Sequence, residues 1–504
     1  MDTIGDTHMG DPSIIEELTL SQRETTPSER STSRHHRIML DSTTLDYDAT
    51  GGTLLVYKDE PFPLASIFYL SYVVRSDEDA ARRPITFLFN GGPGSSSLWA
   101  NIGQFGPRRT ATHTPRATPP PPFLVEDNPY TLLAESDLVF IDAVGTGYSR
   151  MLGETTMHDV WGVDQDVDVF ARAITRYLTI TNNWNAPRFL HGESYGTTRA
   201  AALVYKLQNQ GIDFNGVLLQ STLLDWTTIQ PGSDQKFINI LPSFAAAAWY
   251  HKLQPEHRDD VEEHVAEAWR FAQGSYASAL QRGDTLGEAE LLRVAEDLSK
   301  YIGLGVDYLI EHKLRVEREE FRRELLRAEG KVIGRFDSRF VADNSYVVGD
   351  GSYDPATNDA ATAASRSAFL STFREHLVKD VGFTSDLHYY ALNNVLIEGN
   401  WDWSHKAPGI DEPLQIPNVA LDLSAALRQN PNLKVYVLGG VYDFSTPFFG
   451  AQYDISHLFL TPELRANVWF QAYQSGHATF VDQKSAAKMK DDSSRFYAAA
   501  TRRS

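Results

Sequence analysis

The chain has 504 residues, 42% of them hydrophobic and 22% charged, the profile of a globular protein with a sizeable core. Lys and Arg number 46 against 66 Asp and Glu, so the formal charge is −20 and the surface repels nucleic-acid phosphates and anionic lipid. There is no cysteine, which excludes disulfides, thiolate catalysis and cysteine-held zinc or iron–sulfur sites.

In chain order, the opening residues have neither the basic nor the apolar region of a secretory signal. No run of about 18 apolar residues follows anywhere, so the expectation is a cytoplasmic protein without a membrane span. Residues 1–37 are polar and rich in Ser, Thr and Glu, and are expected to form a mobile tail. Residues 54–57 and 67–74 are rich in β-branched and aromatic side chains and predict antiparallel edge strands. Short apolar runs then recur at 85–89, 137–141, 188–191, 216–220, 434–438 and 467–471, separated by turns and helical segments. Continuous apolar strands alternating with helices predict a mostly parallel, buried sheet and an α/β fold. Between about 226 and 430 the rhythm changes. Residues 256–332 carry apolar positions at helical spacing among many charges, which predicts a largely helical cap inserted into the sheet domain. The expected division is a tail to 37, a first core part at 38–225, the cap at 226–430 and a last core part at 431–504.

The chemistry centres on GlyGluSerTyrGly at 192–196, which fits G-x-S-x-G. Five residues with three small fixed ones recur by chance, but here a strand precedes them and a helical run at 197–207 follows. A strand, a sharp turn and a helix form the elbow that exposes a nucleophilic serine, Ser194. Its hydroxyl needs a base to take its proton. In this fold the acid and then the histidine follow the serine along the chain. Asp443 lies just past the strand at 434–438 and His477 just past the strand at 467–471. Asp454 is the nearest rival acid, but it falls in a predicted helix. The strand at 85–89 runs into AsnGlyGlyProGly at 90–94, a turn whose bare backbone N–H groups suit a developing oxyanion.

Further along, AsnGlyGlyProGlySerSerSer (90–97), PheGlyPro (105–107), AsnProTyr (128–130), PheIleAsp (140–142), GlyThrGlyTyrSer (145–149), GlyGluSerTyrGly (192–196), TyrAspPheSerThrPro (442–447) and SerGlyHis (475–477) occur in an order that resembles the serine carboxypeptidase family. The resemblance implies an α/β-hydrolase fold, a mostly parallel central sheet with a helical cap insertion. It implies a peptidase that acts on peptides with a free C-terminus and needs no cofactor or metal. By matching positions it assigns Ser194, Asp443 and His477 as the triad and the N–H groups of Gly92 and Tyr195 as the oxyanion hole. Asn90 and Glu193 would hold the substrate's terminal carboxylate, which requires Glu193 to carry a proton. Where relatives often have a second glutamate, this chain has Gln104, an amide that donates without one. A Gln–Glu pair in place of two glutamates predicts a pH optimum nearer neutral. Ala478, smaller than its usual counterpart, predicts a wider site beside the scissile bond. The lack of cysteines resembles bacterial-type members. The same machinery serves acyltransferases in the family, which is the alternative function. Loss of a triad residue would mark an inactive binding protein, and none is lost. AsnTrpAspTrpSerHis at 400–405 is expected to pack between cap and core rather than to line a pocket.

Overall fold

A computed structural model describes residues 23–24, 28–59, 61–75, 83–112, 115–254, 259–343 and 359–502. The strands are β1 (Arg23–Glu24), β2 (Ser31–Leu40), β3 (Thr43–Asp59), β4 (Phe62–Val74), β5 (Ile85–Phe89), β6 (Arg108–Thr110), β7 (Val125–Asp127), β8 (Asp137–Ile141), β9 (Arg150–Leu152), β10 (Arg188–Glu193), β11 (Gly216–Gln220), β12 (Lys331–Ile333), β13 (Val341–Asp343), β14 (Lys434–Gly440) and β15 (Val468–Tyr473). Eleven of them form one sheet in the order β1-β9-β4-β8-β5-β10-β11-β14-β15, with β3 also on β4 and β2 on β3. The six strands from β8 to β15 in that order are mutually parallel. Every residue of β5, β8 and β11 is buried, as a sheet covered on both faces requires.

The covering helices are α1 (Val163–Thr181), α2 (Tyr195–Asn209), α3 (Gln235–Tyr250), α4 (Val261–Phe271), α5 (Glu288–Ile302), α6 (Arg318–Glu324), α7 (Ala360–His376), α8 (Ala420–Gln429), α9 (Phe448–Ser456) and α10 (Gln483–Thr501). On one face Phe170 and Ile174 of α1, Leu203 and Leu207 of α2 and Leu423 and Leu427 of α8 pack on Val217 and Val435. On the other, Phe369 and Phe373 of α7 and Phe496 and Tyr497 of α10 share a cluster with Phe189, Leu218 and Tyr436. Helices α3 to α6 build a third cluster above the sheet around Phe244, Leu298 and Phe321, the Phe244 and Phe321 rings stacking at 3.8 Å. Phe444, next to Asp443, is fully buried in that cap cluster.

Two of the expected boundaries move. Ser31–Leu40, placed in the tail to 37, is a ten-residue strand paired along its length with β3. Backbone pairing holds it while most of its polar side chains stay exposed, so its composition carries no strand signal. The rest of that segment up to residue 22 lies outside the described residues. The cap at 226–430 also proves shorter, because α7 and α8 return to the two faces of the sheet.

One ion pair ties these layers to the loop after β5. Arg199 on α2, fully buried, donates through Nε to Asp166 of α1 at 2.6 Å and through Nη1 to the Asn90 carbonyl at 2.8 Å. Its guanidinium lies 4.2 Å from the Phe170 ring centroid. Asp166→Asn would leave that cation buried without a counter-charge. We expect a loss of about 3–5 kcal/mol in urea-unfolding free energy. A change below about 1 kcal/mol would mean that the pair does not brace the fold.

Candidate active site

Strand β10 ends at Glu193 and α2 begins at Tyr195, so Ser194 is the whole turn between them. Its φ of +61° and ψ of −130° lie where a residue with a side chain is strained. The surroundings hold it there. The Ser194 N–H donates to the Gln220 carbonyl at 3.0 Å, and its own carbonyl accepts from the Thr197 N–H and hydroxyl at 2.8 and 2.7 Å. A Cβ on Gly192 would lie 2.1 Å from the Gly196 carbonyl oxygen, so only glycine fits beneath the turn. Of residues 191–200, Ser194 alone is not buried.

The loop after β5 packs directly on this turn. A Cβ on Gly91 would stand 2.4 Å from the Tyr195 amide nitrogen, so nothing but backbone separates the two segments. Asn90 steadies the loop, its Oδ1 accepting from the Ala100 N–H at 2.9 Å. Residues 390–394 fasten the other end, the Asn393 N–H donating to the Gly94 carbonyl at 2.7 Å. Among the described residues neither the Gly92 nor the Tyr195 N–H has an acceptor. Tyr195 opens a helix, where the first N–H groups have no intrahelical partner.

Asp443 and His477 follow β14 and β15, neighbours in the sheet, and meet at 2.8 Å between Oδ2 and Nδ1. Asp443 is fully buried and accepts three further hydrogen bonds: the Ser445 N–H at 2.7 Å, the Thr446 N–H at 3.2 Å and the Thr446 hydroxyl at 2.9 Å. An acceptor-only carboxylate at Nδ1 puts the imidazole proton there and leaves Nε2 as the base. Ser194 and His477 make no hydrogen bond to each other in this state. Such contacts often tighten only once a substrate is bound. The rival Asp454 sits in α9 as expected and accepts from the Leu224 and Asp225 N–H groups instead.

A strap of cap residues, 334–340, crosses both loops. The Arg335 carbonyl accepts from the Phe444 N–H at 3.0 Å, the Phe336 carbonyl from the His477 N–H at 2.6 Å, and the Ser338 N–H donates to Tyr442 at 3.0 Å. The Phe336 ring lies 5.0 Å from the imidazole.

Charge at the site is tuned by burial. Desolvation pushes the Glu193 carboxyl up to about 7, against the pull of His477 and the Asn90 side chain, with Asp443 adding to the rise. Among the described residues, one buried Glu193 oxygen, Oε2, has no hydrogen-bond partner. Burial alone would lower His477, but the charge and hydrogen bond of Asp443, with Glu193 assisting and Arg335 opposing, hold it above the usual histidine value.

Gln104 is hydrogen-bonded to Gln220, the residue opposite Glu193 in the sheet, rather than to Glu193. It is buried and exchanges a reciprocal pair of hydrogen bonds with Gln220, each 3.1 Å, with Thr479 and the Met489 sulfur completing the group. An amide already matched to another amide keeps no donor for a ligand, so the expected Gln104–Glu193 pair does not form. Trp401 and Trp403 surround Tyr195 edge-on, at 5.4 and 6.1 Å between ring centroids, as packing. A cavity of about 560 Å³ walled by Trp269, Tyr453, His457 and Phe470 opens elsewhere, between cap and α9. The sequence reading missed Thr446, Arg199 and the strap. Thr446 had a signal, because an aspartate two or three residues before a Ser-Thr pair favours this kind of turn. The other two had none, being joined to the site by tertiary contact alone.

The sequence model of the Peptidase_S10 family, serine carboxypeptidase, matches residues 63–299. The chain is 25% identical over 162 residues to serine carboxypeptidase-like 20 of Arabidopsis thaliana, 31% of this chain and 32% of that protein. It is 25% identical over 170 residues to serine carboxypeptidase 1 of Hordeum vulgare, 32% of each. The chain thus aligns with about a third of the length of these curated relatives. Residues 63–299 are thus similar to the serine carboxypeptidase family. The fold agrees. The crystal structure of Kex1Δp, a prohormone-processing carboxypeptidase from Saccharomyces cerevisiae, superposes with a TM-score of 0.52 at 14% identity, covering 92% of this chain and 90% of that one. The family match takes in the elbow and the 90–94 loop but stops before Asp443 and His477.

If the Asp443–His477 bond orients the base, Asp443→Asn should leave the unfolding temperature within a few degrees. The second-order rate of Ser194 labelling by a fluorophosphonate should fall by about 10³–10⁴. An unchanged labelling rate would remove Asp443 from the relay.

Proposed function

We propose that this protein is a serine carboxypeptidase that releases C-terminal residues from peptides through an acyl-enzyme on Ser194. The observation that carries the peptidase reading beyond generic acyl transfer is Glu193, a buried carboxyl with a free oxygen and a raised pKa, next to the nucleophile. In its protonated form it donates to a substrate carboxylate instead of repelling it. Asn90 is the second member of the proposed carboxylate site: its Oδ1 accepts from the Ala100 N–H, and its side chain also hydrogen-bonds Glu193.

Ser194 Oγ attacks the last peptide carbonyl while His477 Nε2 takes its proton. The Gly92 and Tyr195 N–H groups receive the oxyanion, and Asp443 stabilises the imidazolium. His477 then gives the proton to the leaving amine, and water, activated by the same nitrogen, hydrolyses the acyl-enzyme.

The sign of the pH dependence follows. Catalysis needs His477 neutral and substrate binding needs Glu193 protonated, so the productive form is the Glu193–His477 pair holding one proton, on Glu193. As pH rises through about 7, Glu193 loses that proton and the site turns anionic. We expect KM for a blocked dipeptide with a free C-terminus to climb above pH 7, and KM for its C-terminal amide to stay level. Glu193→Gln should flatten the difference. Parallel profiles for acid and amide would remove Glu193 from carboxylate binding. A C-terminal ladder by mass spectrometry on mixed peptides checks the direction of cleavage. Internal fragments in place of single-residue steps would overturn the carboxypeptidase reading.

A further inference from the structure

Arg335 belongs to the strap over the acid and base loops, and its side chain has no work in the relay. Its Nη2 donates to Ser445 Oγ at 3.4 Å, two residues past Asp443, and its guanidinium leans on Phe336, 5.6 Å from the ring centroid. Phe336 in turn flanks His477. Both Arg335 and Phe336 keep partial solvent access beside His477. Among the described residues, the buried Arg335 Nε has no hydrogen-bond partner.

Among the described residues, Arg335 shares its surroundings with two further arginines and two acids. Arg318 and Arg322 lie beside it, with Glu319 and Asp359 as the neighbouring acids. Glu319 is committed to Arg318 at 3.3 Å and to Arg322. Asp359 faces Arg322 at 3.6 Å and accepts the N–H groups of Arg335, Ala361 and Thr362. Asp443 is taken by His477 and its own turn. Among the described residues, Glu319 and Asp359 thus face Arg318 and Arg322, and Arg335 forms an ion pair with neither carboxylate. Burial, with Arg318 adding, lowers its pKa to about 9, which leaves it charged at neutral pH. A cation partly withdrawn from water, with no ion-pair partner among the described residues, is costly unless a ligand supplies one.

We propose that Arg335 is a specificity-determining residue that pairs with a carboxylate side chain on one of the two residues flanking the scissile bond, so that acidic peptides are the preferred substrates. This rests on the carboxypeptidase reading above for its substrate geometry. The α-carboxylate is a separate group, assigned there to Glu193 and Asn90.

The test uses four blocked dipeptides, with Glu or its neutral isostere Gln at the last or at the penultimate position and Leu at the other. Each is measured for hydrolysis and, independently, for its protection of Ser194 against a fluorophosphonate. A charge-assisted bidentate pair predicts that Glu outperforms Gln about tenfold or more at one position, in kcat/KM and in protection alike. In Arg335→Gln that ratio should fall to about one, in Arg335→Lys it should keep its sign, and in Arg335→Glu it should invert, so that the Gln peptide outperforms the Glu peptide. A general loosening of the strap would slow all substrates without moving the ratio. Equal protection by Glu and Gln peptides at both positions, or a ratio that survives Arg335→Gln, overturns the proposal. Glu-selective protection without any hydrolysis upholds it and sinks the carboxypeptidase reading alone.

Discussion

The site depends on one close approach of backbone to backbone. The turn that follows β5 lies on the turn that follows β10, with no side chain between Gly91 and the Tyr195 amide. Everything else is arranged so that this contact can exist. Ser194 adopts a conformation that side chains avoid, Gly192 and Gly196 leave room beneath it, and the buried Arg199 ties both turns to the helical layer below. Adjacent parallel strands supply the two turns in the same orientation, because their carboxyl ends lie along one edge of the sheet. The unpartnered N–H groups of Gly92 and Tyr195 are the outcome: donors held in place by packing, available because no local acceptor reaches them.

The second half of the site follows the same logic with side chains. Asp443 and His477 end neighbouring strands, so a single lattice spacing brings them into contact, and the Ser445–Thr446 turn saturates the carboxylate. Beneath the catalytic edge, polar groups are matched in closed sets, such as Gln104 with Gln220 and Thr479. Glu193 and Arg335 differ from those sets in being ionisable groups beside the serine and the histidine, each with a buried polar atom unmatched among the described residues.

What could be read in the sequence was whatever a local pattern determines. The apolar runs at 85–89, 137–141 and 216–220 coincide with strands residue for residue, because burial on both faces dictates their composition. The elbow was legible because glycine, serine and glycine mark a backbone that few other residues tolerate. Asp443 and His477 were placed by their distance past strands, which the parallel order of the sheet converts into proximity. The failures were of another kind. Ser31–Leu40 is held by main-chain pairing that side chains do not advertise. The partner of Gln104 was set by Gln220, 116 residues away, and no spacing rule relates the two. The strap at 334–340 has no motif, because its contribution is made through carbonyls and amides that every residue possesses.

The strap alters what the cap is. Its main chain is bonded to Tyr442, Phe444 and His477 together, and Phe444 is embedded among the cap's own aromatic rings. A cover whose main chain is bonded to the His477 loop cannot swing open as a lid while His477 stays in register with Asp443. Substrates must therefore thread past its rim, and the cap and the acid–base loops should melt together as one cooperative unit. Cap sequence and catalytic geometry are then inherited as a linked pair: a cap transplanted from a relative would bring a new rim, but it would also redraw the main-chain anchors on which the imidazole rests.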